Sequence, residues 1–286
     1  MHLTILFQVL ACTGIISGAQ VKRLSRSFNS RATCISRTPA ETSGYSFLRD
    51  NPGYAEFRDN QAISINGKML GVNGKRSSLY TYIVEAVKRI KPKVFIAENV
   101  GGLLLKQNEY SLNKILEDFH SLGYNLSYQL YHAEDYGVPQ TRERVIFVGT
   151  KKGLPDFVPP KPSVFAPITA YEALHDLEEH PQDKMFSHIW SNAKVSGEQG
   201  NRRLIADRPG YTMRAECHGN IQFHYALPRR ISMREAARIQ SFPDSFSFPC
   251  GLRETERQIG NAVPPVLAWH IANSVKNVIE GNKNRV

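Results

Sequence analysis

Cysteine is scarce in this chain of 286 residues: Cys12, Cys34, Cys217 and Cys250 lie far apart, and no two form a CxxC pair. That spacing argues against a disulfide scaffold and a zinc ribbon and makes a reducing compartment the default. No apolar run approaches the roughly 20 residues needed to span a bilayer, so no membrane segment is expected. Leu3–Ile16 has the length of a secretory signal and is followed by Ser17, Gly18 and Ala19, but only His2 precedes it where a positive region belongs. Acidic residues are missing before Glu41, whereas Lys22, Arg23, Arg26, Arg31 and Arg37 are interspersed with five serines. This composition suits an organellar transit peptide as well as it suits a basic surface. No internal repeat is visible.

Hydrophobic residues make up 41% of the chain and charged residues 22%, enough apolar content for a substantial core. Thirty-six Lys and Arg against 26 Asp and Glu give a net charge of +10, which favours a polyanionic partner. From residue 77 the pattern is regular. Leu79, Ile83, Val87 and Ile90 recur at helical spacing and stop at Lys91-Pro92. Val94–Ala97 reads as a short buried strand that leaves through Glu98-Asn99-Val100-Gly101-Gly102, and Leu112, Ile115, Leu116 and Phe119 mark a second helix closed by Gly123. Leu126, Tyr128 and Leu130 alternate as in a half-buried strand, and Arg144–Gly149 is another apolar run. Alternating elements with short connections predict an α/β layer architecture.

Residues 151–228 break this rhythm with Pro155, Pro159, Pro160, Pro162, Pro167, Pro181 and Pro209, and read as a loop-rich insertion or small domain. Ser232 with Glu235 three residues later predicts a capped helix start, and Ala262–Ile279 predicts a long helix opened by Pro264-Pro265. The expected organisation is an atypical N-terminal region over 1–60, an α/β domain over 61–150, an insertion over 151–228, and a return to the α/β domain over 229–286.

Four segments then occur in a fixed order: KVFIAENVGGLL (93–104), YGVPQTRERVIFVG (136–149), RRISMREAARIQSFPDSF (229–246) and RQIGNAVPPVLAWHIA (257–272). Each has an ordinary reading by itself: a carboxylate at a strand end, a surface ion-pair loop, an amphipathic helix, a helix start. Together, across roughly the last 210 residues, they resemble the cytosine-5 DNA methyltransferases. The resemblance implies a Rossmann-like S-adenosylmethionine-dependent methyltransferase fold with a small loop-rich target-recognition domain. It implies DNA methylation of restriction-modification type and a cytoplasmic, nucleoid-associated protein.

The chemistry implied by that family accounts for the residue types. Methylating carbon 5 of cytosine requires transient attack of a thiolate at carbon 6, and the base must first be flipped out of the duplex. By resemblance Glu98 hydrogen-bonds or protonates ring nitrogen 3 and the exocyclic amine, while Arg142 and Arg144 contact the carbonyl oxygen and brace the site. Gly260, Asn261, Ala262 and Val263 resemble the segment that completes the S-adenosyl-L-methionine pocket. In the insertion, whose most patterned part is 202–225, Arg214 and His218 are candidate DNA contacts, joined by Gln140 at the start of the QTRER motif. Cys217, His218 and His224 fit no zinc spacing, so no metal is expected.

Two departures stand out. The stretch running from Arg58 to Ser64 aligns Asn60 with the family's nucleophilic cysteine, and an amide nitrogen cannot replace a thiolate. Cys34 stands in a TCIS context without the flanking proline and glutamine. The glycine-rich turn expected near the N-terminus is also missing, with Gln8-Val9-Leu10-Ala11-Cys12 after Leu6-Phe7, and Glu41 and Glu56 are weak candidates for the ribose hydroxyls. The expectation is therefore a family methyltransferase whose activity is in question, with residues 1–60 replaced. The alternatives are a non-catalytic DNA-binding remnant or pseudoenzyme, activity completed by a complementing chain, and a transfer-RNA substrate. Expected partners are duplex DNA and a cognate restriction endonuclease.

Overall fold

A computed structural model describes residues 79–191, 202–214 and 222–281. Asn60, Cys34, Cys217 and His218 lie outside them. Helix α1 (Leu79–Ile90) forms where the apolar spacing places it. It stops where Lys91 takes a φ of 50° ahead of Pro92, which cannot continue the helix. Ile83 and Val87 are buried, whereas Ile90, the last member of the apolar series, is 40% exposed.

Strand β1 (Val94–Asn99) follows, then 3-10 turns over Gly101–Asn108 and helix α2 (Glu109–Ser121). Strands β2 (Tyr124–His132) and β3 (Glu143–Lys151) complete a sheet of order β1-β3-β2. β1 and β3 run antiparallel, with Val94 opposite Thr150, Glu98 opposite Ile146 and Asn99 opposite Val145. Ile83 and Val87 of α1, Ile115 and Phe119 of α2 and the sheet residues Phe95, Tyr124, Val145 and Phe147 form one core. Phe95 lies over Gly149: a Cβ at that glycine would stand 2.0 Å from the ring, so only glycine fits opposite this phenylalanine. Leu126, Tyr128 and Leu130 share one face of β2: the two leucines pack on the core, and Tyr128, 40% exposed, stacks on the core residue Phe147.

Among the described residues, a first compact unit holds 79–131, 143–159 and 273–281, and a second holds 132–142, 160–191, 202–214 and 222–272. The second unit has little regular structure before residue 232, as its prolines require. Its short helix α3 (Ala170–Leu174) has a capping box from Thr169 and Glu172. Helix α4 (Met233–Ile239) starts at Ser232 with the capping box read from its sequence. Helix α5 (Leu252–Asn261) was not legible, because its charged LRETERQ run offers only Thr255, Ile259 and Gly260 to the interior. Helix α6 (Pro265–Glu280) begins at the second proline of the pair rather than at Ala262. Ala170, Leu174, Leu204, Met213, Ile231, Ile239 and Ile259 share the second unit's core. No helix among the described residues is long and apolar enough to cross a membrane.

Candidate functional site

In the first unit the antiparallel register dictates the site. Glu98 faces Ile146, so Arg144, two residues before Ile146, lies on the same face as its diagonal neighbour. The guanidinium Nε of Arg144 pairs with Oε1 of Glu98; the Glu98 side chain is buried and that of Arg144 is 13% exposed. Burial lowers the guanidinium's hold on its proton, and the Glu98 carboxylate opposes that effect. The strand exit is fixed locally: Oδ1 of Asn99 accepts the Val100 N–H at 2.8 Å, and the buried Asn108 amide donates to the Gly102 carbonyl at 2.7 Å.

Gln140 and Arg142 belong to the second unit. The loop that carries them is sewn to residues 210–213: Gly210 N–H donates to the Pro139 carbonyl, Thr141 N–H to the Gly210 carbonyl, and the Thr212 hydroxyl to the Thr141 carbonyl. Both side chains are turned inward, Gln140 fully buried and Arg142 1% exposed. Arg142 donates through Nη1 to the Met213 carbonyl at 2.9 Å and through Nη2 to the carbonyls of Gly260 and Ala262 at 2.9 and 3.1 Å. Gln140 accepts the Met213 N–H at 2.9 Å. The resemblance puts Arg142 against a cytosine oxygen and Gln140 against DNA. In this structure Arg142 holds backbone carbonyls, and Gln140 holds backbone groups and the Gln240 side chain. Gln240, which sequence reading passed over, donates to the Ala262 carbonyl at 2.6 Å. Its only signal was a polar residue ending an apolar helix face.

Of the remaining candidates, Arg214 is exposed beside the buried Met213. Gly260 is buried, and Asn261, Ala262 and Val263 are half-buried. His224 is fully buried, its Nδ1 accepting the Ala226 and Leu227 N–H groups, so its proton sits on Nε2, 3.9 Å from the buried Glu235 carboxylate.

Comparison with known proteins decides the identity. The family model "C-5 cytosine-specific DNA methylase" matches residues 61–205 and 191–277, most of the chain. This chain belongs to that family. Among its relatives, the type II methyltransferase M.NgoFVII of Neisseria gonorrhoeae is 32% identical over 260 residues, covering 79% of this chain and 70% of the relative. Type II methyltransferase M.BbvI of Brevibacillus brevis is 37% identical over 235 residues, and there the alignment spans 71% of this chain and 63% of the relative. A prophage-encoded DNA modification methyltransferase of E. coli has the same fold, with a TM-score of 0.60 at 22% identity over 77% of each chain. The methylase thus has the Rossmann-like methyltransferase fold. The family match begins at Gln61, the residue after Asn60.

The segment that the resemblance assigns to an S-adenosylmethionine pocket, Gly260–Val263, is held in place by its neighbours. Arg142 and Gln240 hold the Gly260 and Ala262 carbonyls, and Asn261 and Val263 are half-buried. Among the described residues, no carboxylate other than Glu98 stands at the C-terminal end of a strand to take ribose hydroxyls. The described residues therefore do not complete the pocket.

Proposed function

We propose that this methylase is a DNA (cytosine-5)-methyltransferase of type II restriction-modification kind that holds a flipped cytosine of duplex DNA against Glu98 and Arg144. We propose further that Asn60 stops the isolated chain before the covalent step. The observation that carries the reading is the largely buried Glu98–Arg144 pair at the β1–β3 strand end. A carboxylate offers acceptors to the exocyclic amine of cytosine and to a protonated ring nitrogen 3. The adjacent guanidinium offers donors to its carbonyl oxygen, so the pair matches one edge of that base. Low solvent access strengthens these contacts and withholds them from a base still stacked in a duplex. Arg142 and Gln140 act as positioning residues beneath the Gly260–Val263 wall, and Arg214 contacts phosphate or a base edge.

S-adenosylmethionine supplies the methyl group when bound. The covalent step needs a sulfur lone pair at carbon 6, and the amide nitrogen of Asn60 has its lone pair delocalised into the carbonyl. The family match starts at Gln61, in keeping with replacement of residues 1–60, and a complementing chain that supplies the thiolate and the glycine turn is the alternative. A DNA-binding remnant without turnover is the other outcome, and a cognate restriction endonuclease and a cytoplasmic, nucleoid-associated setting accompany the family reading.

The test is equilibrium binding of a labelled mixed-sequence duplex, with transfer RNA as competitor, over a salt series. The reading expects duplex binding that transfer RNA does not displace, and a salt slope about one unit shallower in Arg214→Ala, as the loss of one phosphate contact requires. Preferential displacement by transfer RNA would overturn it.

A further inference from the structure

Gln240 and Gln140 form a continuous polar path through the second unit's core. Gln140 Nε2 donates to the Ile239 carbonyl at 3.3 Å and to Gln240 Oε1, while its Oε1 accepts the Met213 N–H. Gln240 Nε2 donates to the Ala262 carbonyl. Neither amide can be turned over, because each end of Gln140 faces a backbone group of fixed polarity and the nitrogen of Gln240 faces a carbonyl. Arg142 closes the path from the other side by holding the Met213 carbonyl together with those of Gly260 and Ala262. Met213 is thus gripped at both its N–H and its C=O, and Ala262 receives two donors on one oxygen. Gln140 and Gln240 are both fully buried. A displaced partner at this depth finds no water to replace it, so the network has few arrangements between fully made and broken.

We infer that Gln240 is a positioning residue that couples the Met213–Arg214 stretch to the Gly260–Val263 wall, so that DNA engaged at Arg214 orders the wall. This rests on the reading of Arg214 as a DNA contact. Arg214 is exposed and covalently next to Met213, so a load on Arg214 passes directly to the one backbone unit that Gln140 and Arg142 both hold. Arg142 alone carries part of the coupling. Arg142 also donates to Gln140 Oε1 at 3.4 Å, and Gln240 supplies the second donor to Ala262 and a second link from Gln140 to that carbonyl.

The experiment is hydrogen-exchange mass spectrometry of the full chain with and without mixed-sequence duplex DNA, comparing peptides over 205–214 and 258–268 in the native protein, Gln240→Leu and Gln240→Glu. The native chain is expected to slow exchange in both peptides on binding DNA. In Gln240→Leu the slowing over 205–214 persists and that over 258–268 falls at least threefold. Gln240→Glu keeps the acceptor for Gln140, loses the donor to Ala262, and is expected to behave like Gln240→Leu. It also serves if the leucine variant does not fold. DNA protection of 258–268 that survives both substitutions overturns the inference, as does native protection of 205–214 with none over 258–268. Absence of DNA binding by the native chain would instead overturn the functional reading beneath it.

Discussion

Arg144 and Glu98 meet as a largely buried ion pair because Arg144 stands two residues before Ile146, the cross-strand partner of Glu98. Removing one partner strands a charge that the interior cannot solvate, which costs more than the intact pair contributes. Arg144→Met is expected to lower the unfolding free energy by about 3 kcal/mol, and Glu98→Gln in the same chain to restore part of that loss. Urea denaturation of the two single variants and the double variant measures the coupling. Additive losses would mean that the pair contributes nothing as a pair.

Gly149 is the second position where β1 and β3 leave no latitude. A methyl group there would overlap the Phe95 ring, which itself packs on Phe119 and Tyr124 with centroids 4.6 and 5.2 Å away. Gly149→Ala is expected to destabilise the protein by about 1–3 kcal/mol, the usual cost of overpacking a core. Phe95→Leu in the same chain should recover part of that cost in thermal denaturation.

Glu256 on α5 is pushed up to about 7 by burial, against the pull of Arg230 and Arg253. The folded state therefore holds this proton more tightly than the unfolded chain, whose carboxyl titrates near the ordinary value of about 4.3. The stabilising contribution is complete below that value and is lost as pH rises towards 7. Glu256→Gln is expected to be more stable than the native chain at pH 8 (roughly a unit above the folded value) and to lose that advantage near pH 4, as chemical denaturation at the two pH values will report.

His188 and His224 act with the opposite sign. Burial lowers both, with Glu235 opposing the effect in each case. Their neutral forms support the fold above the unfolded value of about 6.5, and that support is lost as pH falls from there through the lowered folded values. His224→Asn keeps an acceptor for the Ala226 and Leu227 N–H groups and removes the titration, so its stability should fall less steeply than the native protein's below pH ~6.5.

Periodicity made α1, β1, α2 and the start of α4 legible, since the apolar spacing and the Ser232–Glu235 cap are local properties of the chain. Helix α5 was hidden because only Thr255, Ile259 and Gly260 of its ten residues are buried, too few to register as a face. The QTRER motif singled out residues without showing where they point. Arg142 is satisfied by carbonyls 71, 118 and 120 positions along the chain, a neighbourhood created by the fold rather than by spacing. Gln240 was overlooked for the same reason. Arg144, in contrast, reaches Glu98 through strand register alone, and the motif order already placed those two segments in sequence.

The most direct measurement is transfer of labelled methyl groups from S-adenosylmethionine to mixed-sequence duplex DNA by the purified native chain and by Asn60→Cys. No transfer by the native chain is predicted. Rescue by Asn60→Cys would show that the thiolate alone was missing, and rescue only on adding a second chain would assign the missing parts to that partner. Turnover by the native chain alone would contradict the assignment of Asn60 to the nucleophile's position.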